Sequence, residues 1–255
     1  MLTAPSLASV PRLRHGFFTR AGGVSRGAFA ALNCGFNSRD KPGAVRENRR
    51  RAAEKLGRRA EDLLTLAQVH SAKAVAVTEG FDLESRPEAD GLATCEPGLL
   101  LGILTADCAP LLFADPIAGV IGAAHAGWRG ALDGIAEATL SAMENLGAER
   151  KHIRAAIGPC IAQASYEVGP EFQARFLQAD QANADYFETG IADRLRFDLK
   201  SYLADRLARC GLAGISVEPA DTCAEDLRFF SCRRAAKQGE GHYGSLLSAI
   251  VIEEG

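Results

Sequence analysis

Residues 119–147, GVIGAAHAGWRGALDGIAEATLSAMENLG, join an apolar run to a polar turn and then to a pattern with helical spacing. The run at 119–124 is short and bounded by turn residues, as a buried strand is. Mostly apolar side chains then recur on one helix face, at Leu132, Ile135, Ala136, Thr139, Met143 and Leu146. The stretch therefore predicts a strand, a turn over 125–130 and an amphipathic helix that ends at Gly147.

Outside this stretch, further short apolar runs predict buried strands, at 73–78, 99–104, 110–114, 153–158 and 246–252. Two more helices are predicted, one over 44–56 and stopped by Gly57, the other capped by Asp198. Strands and helices are interspersed without a linker, so we expect one mixed α/β (α+β) domain over 1–255. Several strand pairs are too close for helical crossovers, which favours mixed sheets.

The composition is that of an ordinary globular protein: 255 residues, 47% hydrophobic, 24% charged, net charge −3. Nucleic acid is therefore not an expected partner, and nothing in the sequence indicates an obligate protein partner. No run approaches the roughly 18 apolar residues of a membrane span, so we expect a cytoplasmic protein without membrane contact. Seven Cys is an odd number, which excludes complete intrachain pairing and favours reduced thiols.

Three residues of metal-ligand type are expected at the ends of apolar strands: His70 in AQVHS, Cys108 in TADC and His125 in AAHAGWRG. Imidazole and thiolate are ligands that zinc favours, and three protein ligands leave a fourth position open for water or substrate. Their spacing matches no zinc-finger pattern. Taken singly, a Cys after a strand is most often a small core residue, and a lone His is usually just hydrogen-bonded.

The polar residues around these three have several interpretations. Asp107 is costly to bury unless it is paired, so we predict that it anchors a ligating imidazole. In HAGWRG, Gly127 and Gly130 allow a sharp turn, and the helix start with Arg129 suits an anion such as phosphate. Trp128 either stacks on a planar ring or fills the core.

Weaker candidates have an ordinary surface explanation as well. Arg20 in FFTRAGGVS is either in an anion-binding turn or in a solvated one, and Arg49 in ENRRR is one charge of a basic helix. Asp90 in EADGL is interpreted as a turn residue. Arg233 and Arg234 after FFSC are either a solvated pair or the rim of an anionic pocket.

Taken together, ten short segments of the chain resemble one known family. In order between residues 15 and 234 they are HGFFTRAGGVS, LNCG, ENR, QVHS, ADG, TADCAPLLFAD, AAHAGWRG, IGPCI, YEVG and FFSCRR. This set resembles the YfiH-like family, also called the laccase-domain or multicopper polyphenol oxidase type, which includes bacterial purine nucleoside phosphorylases. The resemblance implies a single-domain layered sandwich of mixed β-sheets flanked by helices.

The resemblance also implies a site and an activity. His70, Cys108 and His125 would jointly hold zinc, with purine nucleosides and phosphate as the substrates. Family members are described as cleaving adenosine, inosine, guanosine or methylthioadenosine with phosphate, and as deaminating adenosine. Arg49 matches a family position near the substrate. Further site residues lie inside matched motifs, namely Arg20, Gln68, Asp107 and Arg129, with Asp107 the candidate that protonates the leaving base.

Other functions stay open on the residues alone. Cys108 with His70 or His125 would also suit a cysteine hydrolase or amidase, and some family members are described as editing peptidoglycan precursors. Copper-dependent polyphenol oxidation is an older attribution; copper suits a His/Cys/His site, but five His are too few for a blue-copper and trinuclear oxidase. A zinc-stabilised interaction protein is the non-enzymatic alternative.

The chain departs from the family pattern at three positions. Cys232 stands where many relatives have Tyr, Arg39 where a Gly is usual, and Ser245 where an Arg often follows the Gly. Losing a cationic side chain at 245 would weaken binding of phosphate or of a nucleotide-like substrate.

Overall fold

The computed structural model describes residues 1–36 and 38–253. Within them the helices are α1 Pro5–Ala8, α2 Pro42–Lys55, α3 Trp128–Asp133, α4 Ile135–Glu144, α5 Pro170–Ala179, α6 Leu199–Ala208 and α7 Cys232–Lys237. The strands are β1 Leu13–Phe17, β2 Leu63–Thr65, β3 Ala74–Ala76, β4 Gly91–Thr94, β5 Leu100–Thr105, β6 Ala109–Asp115, β7 Val120–Ala126, β8 Arg154–Ile157, β9 Glu167–Val168, β10 Phe187–Thr189, β11 Leu195–Phe197, β12 Gly214–Val217 and β13 Leu246–Ile252.

A six-stranded sheet has the strand order β12-β8-β6-β7-β4-β3. Strand β7, which comes from the 119–147 stretch, lies in the interior of this sheet. Strands β6 and β7 pair antiparallel from Ala109 opposite Ala126 to Asp115 opposite Val120. The link between them is too short for a helical crossover, so the strands must run in opposite directions. Strand pairs β3–β4 and β8–β12 are parallel. The sheet is therefore mixed, as expected.

A second, four-stranded sheet, in the order β1-β13-β5-β2, packs against the first. Leu101 and Ile103 of β5 share one apolar core with Leu112 and Ala114 of β6. Alternate residues of β6, among them Phe113, point to the other side and join the core beneath the helices. This period-two alternation makes the six-stranded sheet the middle of a layered sandwich.

Helices cover the two outer faces. Ala52, Ala53 and Leu56, in and just after α2, pack on the four-stranded sheet, and α4 and α6 pack on the six-stranded sheet. A small third sheet, in the order β10-β11-β9, lies beside α5. The fold is a single-domain mixed α/β sandwich flanked by helices, which confirms the expected class.

The predicted helix after HAGWRG is wrong in one respect, because it is broken in two. Gly134 has φ 96°, in the left-handed region that favours glycine, and it separates α3 from α4. Arg206 of α6 stabilises the break by donating to the carbonyl oxygens of Ala131 and Leu132, both at 2.8 Å. It also forms an ion pair with Glu137. The periodicity continues across the break, which is why the sequence does not reveal it.

The other elements follow the prediction with shifted ends. Helix α2 begins at Pro42, and Gly57 after it has φ 72°. Asp198 caps α6 by accepting a hydrogen bond from Ser201 N at 3.0 Å. The strand predicted at 119–124 extends to include His125, whereas His70 lies in a turn after β2 rather than at a strand end.

Two further expectations concern the chain as a whole. All seven cysteines are free thiols. None of the helices in the described part of the chain is both long enough and apolar enough to cross a membrane.

Candidate functional site

The fold brings His70, Cys108 and His125 together. Their ligand atoms all lie within 4.8 Å of one another. Cys108 lies in the turn that joins β5 to β6, and the pairing of Ala109 with Ala126 sets this turn beside His125 on β7. The ring centroids of His70 and His125 are 4.8 Å apart, edge to face. Residues 70, 108 and 125 therefore form one compact His/Cys/His donor set.

This donor set fits a metal ion. His125 is buried, Cys108 is half-buried and His70 is exposed, so the cluster opens to solvent on one side. A side chain at Gly127 would crowd the cluster, because its Cβ would lie 3.0 Å from Cys108 Sγ and 3.2 Å from His70 Cδ2. Two imidazoles and one thiolate, converging from three segments, match the three-ligand sets of catalytic zinc sites.

Asp90 holds two of the three candidate ligands. Its Oδ1 lies 2.8 Å from His125 Nδ1 and accepts from His70 N at 3.0 Å, while Ser71 N donates to Oδ2 at 2.7 Å. Burial alone would raise the pKa of Asp90, but the hydrogen bonds from His125 and Ser71 lower it to about 2. The carboxylate is therefore ionised, and it orients His125 so that Nε2 faces the cluster.

Cys108 and His125 influence each other's ionisation. Burial raises the pKa of the Cys108 thiol, but the charge and hydrogen bonds of His125 and His70 lower it to about 6. Burial lowers the pKa of His125, but Cys108 and Asp90 raise it to about 9. The site thus favours a thiolate, which is the form that binds a metal or attacks a substrate. A metal ion would displace the imidazolium proton.

The prediction that Asp107 anchors a ligating imidazole is wrong. Its carboxylate accepts from Thr222 Oγ1 at 2.7 Å, from Ser231 Oγ at 2.9 Å and from Arg233 N at 2.6 Å. Asp107 thereby ties the turn that carries Cys108 to the start of α7. The anchoring carboxylate is Asp90, which sequence reasoning interpreted as a turn residue.

The pairing of β4 with β7 explains why Asp90 takes this place. Gly91 pairs with Ala124, so the residue before β4 meets His125, whose backbone N donates to Asp90 O at 2.7 Å. A signal was present in the sequence, because an acid directly before an apolar strand is as costly to bury as Asp107. The partner strand, however, is not visible without the fold.

A cavity of about 460 Å³ opens beside the three candidate ligands, all of which line it. Gln68 lines it too, but its amide is committed to the backbone of Leu104, to which it donates at 2.7 Å and from which it accepts at 2.9 Å. These two bonds continue the pairing of β2 with β5. Gln68 is therefore a fixed part of the wall.

Several loop residues also line the cavity. Sequence reasoning missed Phe36, Arg86, His242 and Tyr243, which line the cavity from three different loops. No periodic pattern marks such positions. Arg39 and Ser245, noted as departures from the family pattern, line it as well. The third departure, Cys232, is hydrogen-bonded to Tyr243, and this bond raises the pKa of the Tyr243 hydroxyl.

The three arginines expected at the substrate do not line the cavity. Arg49 is buried behind Phe36, 5.4 Å from its ring, and donates to Thr65 Oγ1 at 3.0 Å. Burial lowers its pKa to about 10, which leaves it charged at neutral pH. Arg20 donates to Ala30 O at 2.6 Å and joins two loops. Arg129 is exposed.

Trp128 packs against other aromatic side chains. Its ring centroid lies 5.0 Å from that of Phe172 and 6.5 Å from that of Phe176, both on α5. The Arg129 guanidinium lies over the Trp128 ring at 5.1 Å. Of the two roles considered for this residue, packing is the one that the contacts support.

The fold and the cluster define a class of protein: a layered α/β domain, built on two packed sheets, with a His/Cys/His candidate metal centre beside a cavity. A family profile described as multi-copper polyphenol oxidoreductase laccase matches residues 14–253, and the chain belongs to that family. This finding confirms the resemblance seen in the ten segments.

Individual relatives also match most of this chain. A protein of Deinococcus radiodurans named purine nucleoside phosphorylase is 44% identical over 93% of this chain and 88% of its own length. A purine nucleoside phosphorylase of Corynebacterium glutamicum is 37% identical over 89% and 91%. Among solved structures, a Neisseria meningitidis protein has a TM-score of 0.88 at 31% identity, covering 99% of both chains. The Bacillus licheniformis protein YfiH has a TM-score of 0.87 at 32% identity, covering 96% and 94%.

Proposed function

We propose that the protein is a zinc-dependent purine nucleoside phosphorylase. It would cleave adenosine, inosine, guanosine or methylthioadenosine with phosphate. The observation that carries this proposal is the convergence of His70, Cys108 and His125 on a cavity of about 460 Å³, within the size range of small-molecule sites. Relatives that bear this name, at 44% and 37% identity, support it.

His70, Cys108 and His125 would hold the zinc ion, with Asp90 orienting His125. When bound, zinc supplies a Lewis acid and an open coordination position within the cavity. Copper can occupy the same donor set, since it outcompetes zinc at most such ligands. Zinc is the better assignment, because hydrolytic and phosphorolytic chemistry needs no change of redox state.

In the proposed reaction a phosphate oxygen forms a bond to C1′ of the nucleoside while the C1′–N9 bond breaks. The bonding electron pair leaves with the purine, which takes up a proton, and ribose 1-phosphate is the other product when the sugar is ribose. The protein contributes mainly by positioning the two substrates and by stabilising the charge that develops. Gln68 would contribute to positioning, because its amide is held by Leu104 and its side chain forms a fixed part of the cavity wall.

Asp107 is assigned to positioning rather than to proton transfer. Both of its carboxylate oxygens already accept hydrogen bonds from Thr222, Ser231 and Arg233 N, and it does not line the cavity. Its contribution is to fix the turn that carries Cys108.

We also propose adenosine deamination as a second activity of this site. Water would replace the amino group at C6, so that adenosine yields inosine and ammonia. The observation that favours it is the number of candidate ligands, because three protein ligands rather than four are typical of zinc sites that act on water.

A multicopper oxidase is disfavoured by the number of ligands. Over residues 1–36 and 38–253, one cluster of three or more metal-ligand side chains is found. His15 is buried and accepts a hydrogen bond from Ala4 N at 2.8 Å, and His152 faces Glu149. Neither imidazole belongs to the His/Cys/His cluster.

The proposal is tested by incubating zinc-loaded protein with inosine and phosphate and measuring hypoxanthine and ribose 1-phosphate by chromatography. A parallel reaction with adenosine and no phosphate tests for inosine and ammonia. We expect product in both reactions. Absence of hypoxanthine from zinc-loaded protein would refute the phosphorylase, and activity that survives complete chelation would favour a cysteine hydrolase.

A further inference from the structure

The cavity is lined by more basic side chains than its candidate metal ligands account for. Arg39, Arg86 and His242 line it in addition to those ligands, and none of its described lining residues is Asp or Glu. We refer to these three residues as the cationic rim. The chain as a whole has a net charge of −3, so the basic character of this lining is local.

Buried hydrogen bonds join the loops that carry Arg39 and His242. Asn33 is fully buried; its Oδ1 accepts from Ser245 N at 2.8 Å and its Nδ2 donates to Ser38 Oγ at 2.9 Å. Cys34 N donates to Ser245 O at 3.0 Å. The two loops are therefore fixed relative to each other, and two of the three rim residues, Arg39 and His242, lie on these joined loops.

The acid nearest to Arg39 in sequence is engaged elsewhere. Asp40 Oδ2 accepts from Ser25 Oγ at 2.6 Å and from Asn33 Nδ2 at 3.0 Å, and Oδ1 accepts from Lys41 N at 2.8 Å. Among the described residues, none forms a hydrogen bond or ion pair with the guanidinium of Arg39, which is exposed. Arg39 thus lines the cavity and is also exposed to solvent.

Arg86 is the third residue of the rim. The loop that carries Arg86 is joined to the segment before Gln68, since Ala67 N donates to Pro87 O at 3.0 Å. Arg86 also lies close enough to the buried Arg49 for their charges to repel, which adds to the effect of burial in lowering the pKa of Arg49.

We propose that the cationic rim is the binding subsite for inorganic phosphate, a step that rests on the proposed phosphorylase. Arginine presents a planar fork of donors that matches phosphate, and phosphate carries one to two negative charges near pH 7. The rim lies in the same cavity as the candidate metal ligands, so phosphate and nucleoside can bind together.

The alternative phosphate-binding site, at HAGWRG, is less suitable for phosphate than the cationic rim. Arg129 is exposed, lies over the Trp128 ring and does not line the cavity. Helix α3, which begins there, has six residues, so its dipole is weak.

The test is the steady-state kinetics of inosine phosphorolysis by rim variants. We expect Arg39→Ala to raise the KM for phosphate about tenfold or more, equivalent to about 1.4 kcal/mol, and to leave the KM for inosine within about twofold. Arg39→Lys keeps the charge but loses the fork, so its effect should be intermediate. Arg209→Ala is the matched control, because Arg209 is exposed at the end of α6 and does not line the cavity.

Direct binding separates failure of the subsite from failure of the proposed function. Phosphate is titrated into metal-loaded protein without nucleoside and followed by ³¹P NMR line broadening, for wild type, Arg39→Ala and His242→Ala. Binding by wild type that both variants weaken supports the subsite, even if no nucleoside is cleaved. Phosphorolysis with an unchanged phosphate KM in both variants would overturn the subsite and leave the phosphorylase intact.

Discussion

The two sides of the cavity are built differently. The ligand edge, consisting of His70, Cys108 and His125, lies on or beside strands of the two packed sheets, and the buried carboxylate of Asp90 fixes its two histidines. The cationic rim lies on loops, and Arg39 at its tip is exposed. Groups that must hold a metal in a fixed geometry thus lie on or beside the packed sheets, whereas the residues proposed to bind phosphate lie on loops.

The largest expected effect comes from breaking the ligand edge itself. Cys108→Ala removes the thiolate, so phosphorolysis should fall to background and bound zinc should be lost. The loss should exceed the 10–100-fold that follows when a hydrogen-bond partner of a metal ligand is removed. Activity assays and metal analysis by mass spectrometry measure both effects.

Cys95→Ala is the control for this substitution. Cys95 is also a half-buried free thiol, but it does not line the cavity. We expect its zinc content and activity to equal those of wild type. A Cys108→Ala protein that keeps both zinc and activity would show that the ligand edge is misassigned.

A smaller effect is expected from Asp90→Asn. The amide keeps the size of the side chain but loses the charge that faces His125, so zinc affinity should fall 10–100-fold. Competition with a chromophoric chelator measures the affinity. An unchanged zinc affinity would show that Asp90 supports only the backbone of the turn at 69–71.

The same substitution predicts a pH dependence of stability. Because the pKa of Asp90 is about 2 in the fold and about 3.9 in an unfolded chain, its contribution is complete above about pH 4. That contribution is lost as the pH falls toward 2. The free energy of unfolding of wild type should therefore decline more steeply below pH 4 than that of Asp90→Asn, as followed by urea titration. Parallel curves for the two proteins would contradict this.

Asp107→Asn should distinguish the role of Asp107 from that of Asp90. The amide still occupies the site, but one of its polar atoms can no longer accept from Thr222, Ser231 or Arg233 N. We expect the free energy of unfolding to fall by about 1–3 kcal/mol, while zinc affinity changes much less than in Asp90→Asn. If Asp107→Asn weakens zinc as strongly as Asp90→Asn does, Asp107 contributes to the ligand edge after all.

The smallest effect is expected at Trp128. Since Trp128 packs on Phe172 and does not line the cavity, Trp128→Phe should lower stability by roughly 1 kcal/mol and leave kcat/KM for inosine within about twofold. Thermal unfolding by circular dichroism is the measurement, because this variant has no tryptophan fluorescence. A tenfold rise in the KM for inosine would show that the ring contacts the nucleoside.

Much of the fold could be predicted because period-two and helical patterns are local. The ends of β13 match the prediction, and α2 and α6 follow theirs to within a few residues. The break at Gly134 could not be predicted, because Arg206, which lies far away in sequence, stabilises it. Local patterns carry no information about such contacts.

Part of the candidate site, like part of the fold, could be predicted from local sequence, and the rest depends on contacts between distant segments. The three candidate ligands are recognisable as residue types next to apolar runs, but their imidazole anchor was assigned to the wrong aspartate. Asp90 reaches His125 only through the pairing of β4 with β7. Asp107 accepts hydrogen bonds from Thr222 and from Arg233 N of α7, which lie 115 and 126 residues away in sequence. The cationic rim comes from three loops, and no spacing in the sequence connects them.

The most direct test of the metal centre is anomalous diffraction from crystals of the active protein, measured at the zinc and copper absorption edges. We predict one zinc peak within about 2.0–2.3 Å of ligand atoms of His70, Cys108 and His125 together. Crystals that turn over inosine and phosphate but contain no metal at these three side chains would contradict the account.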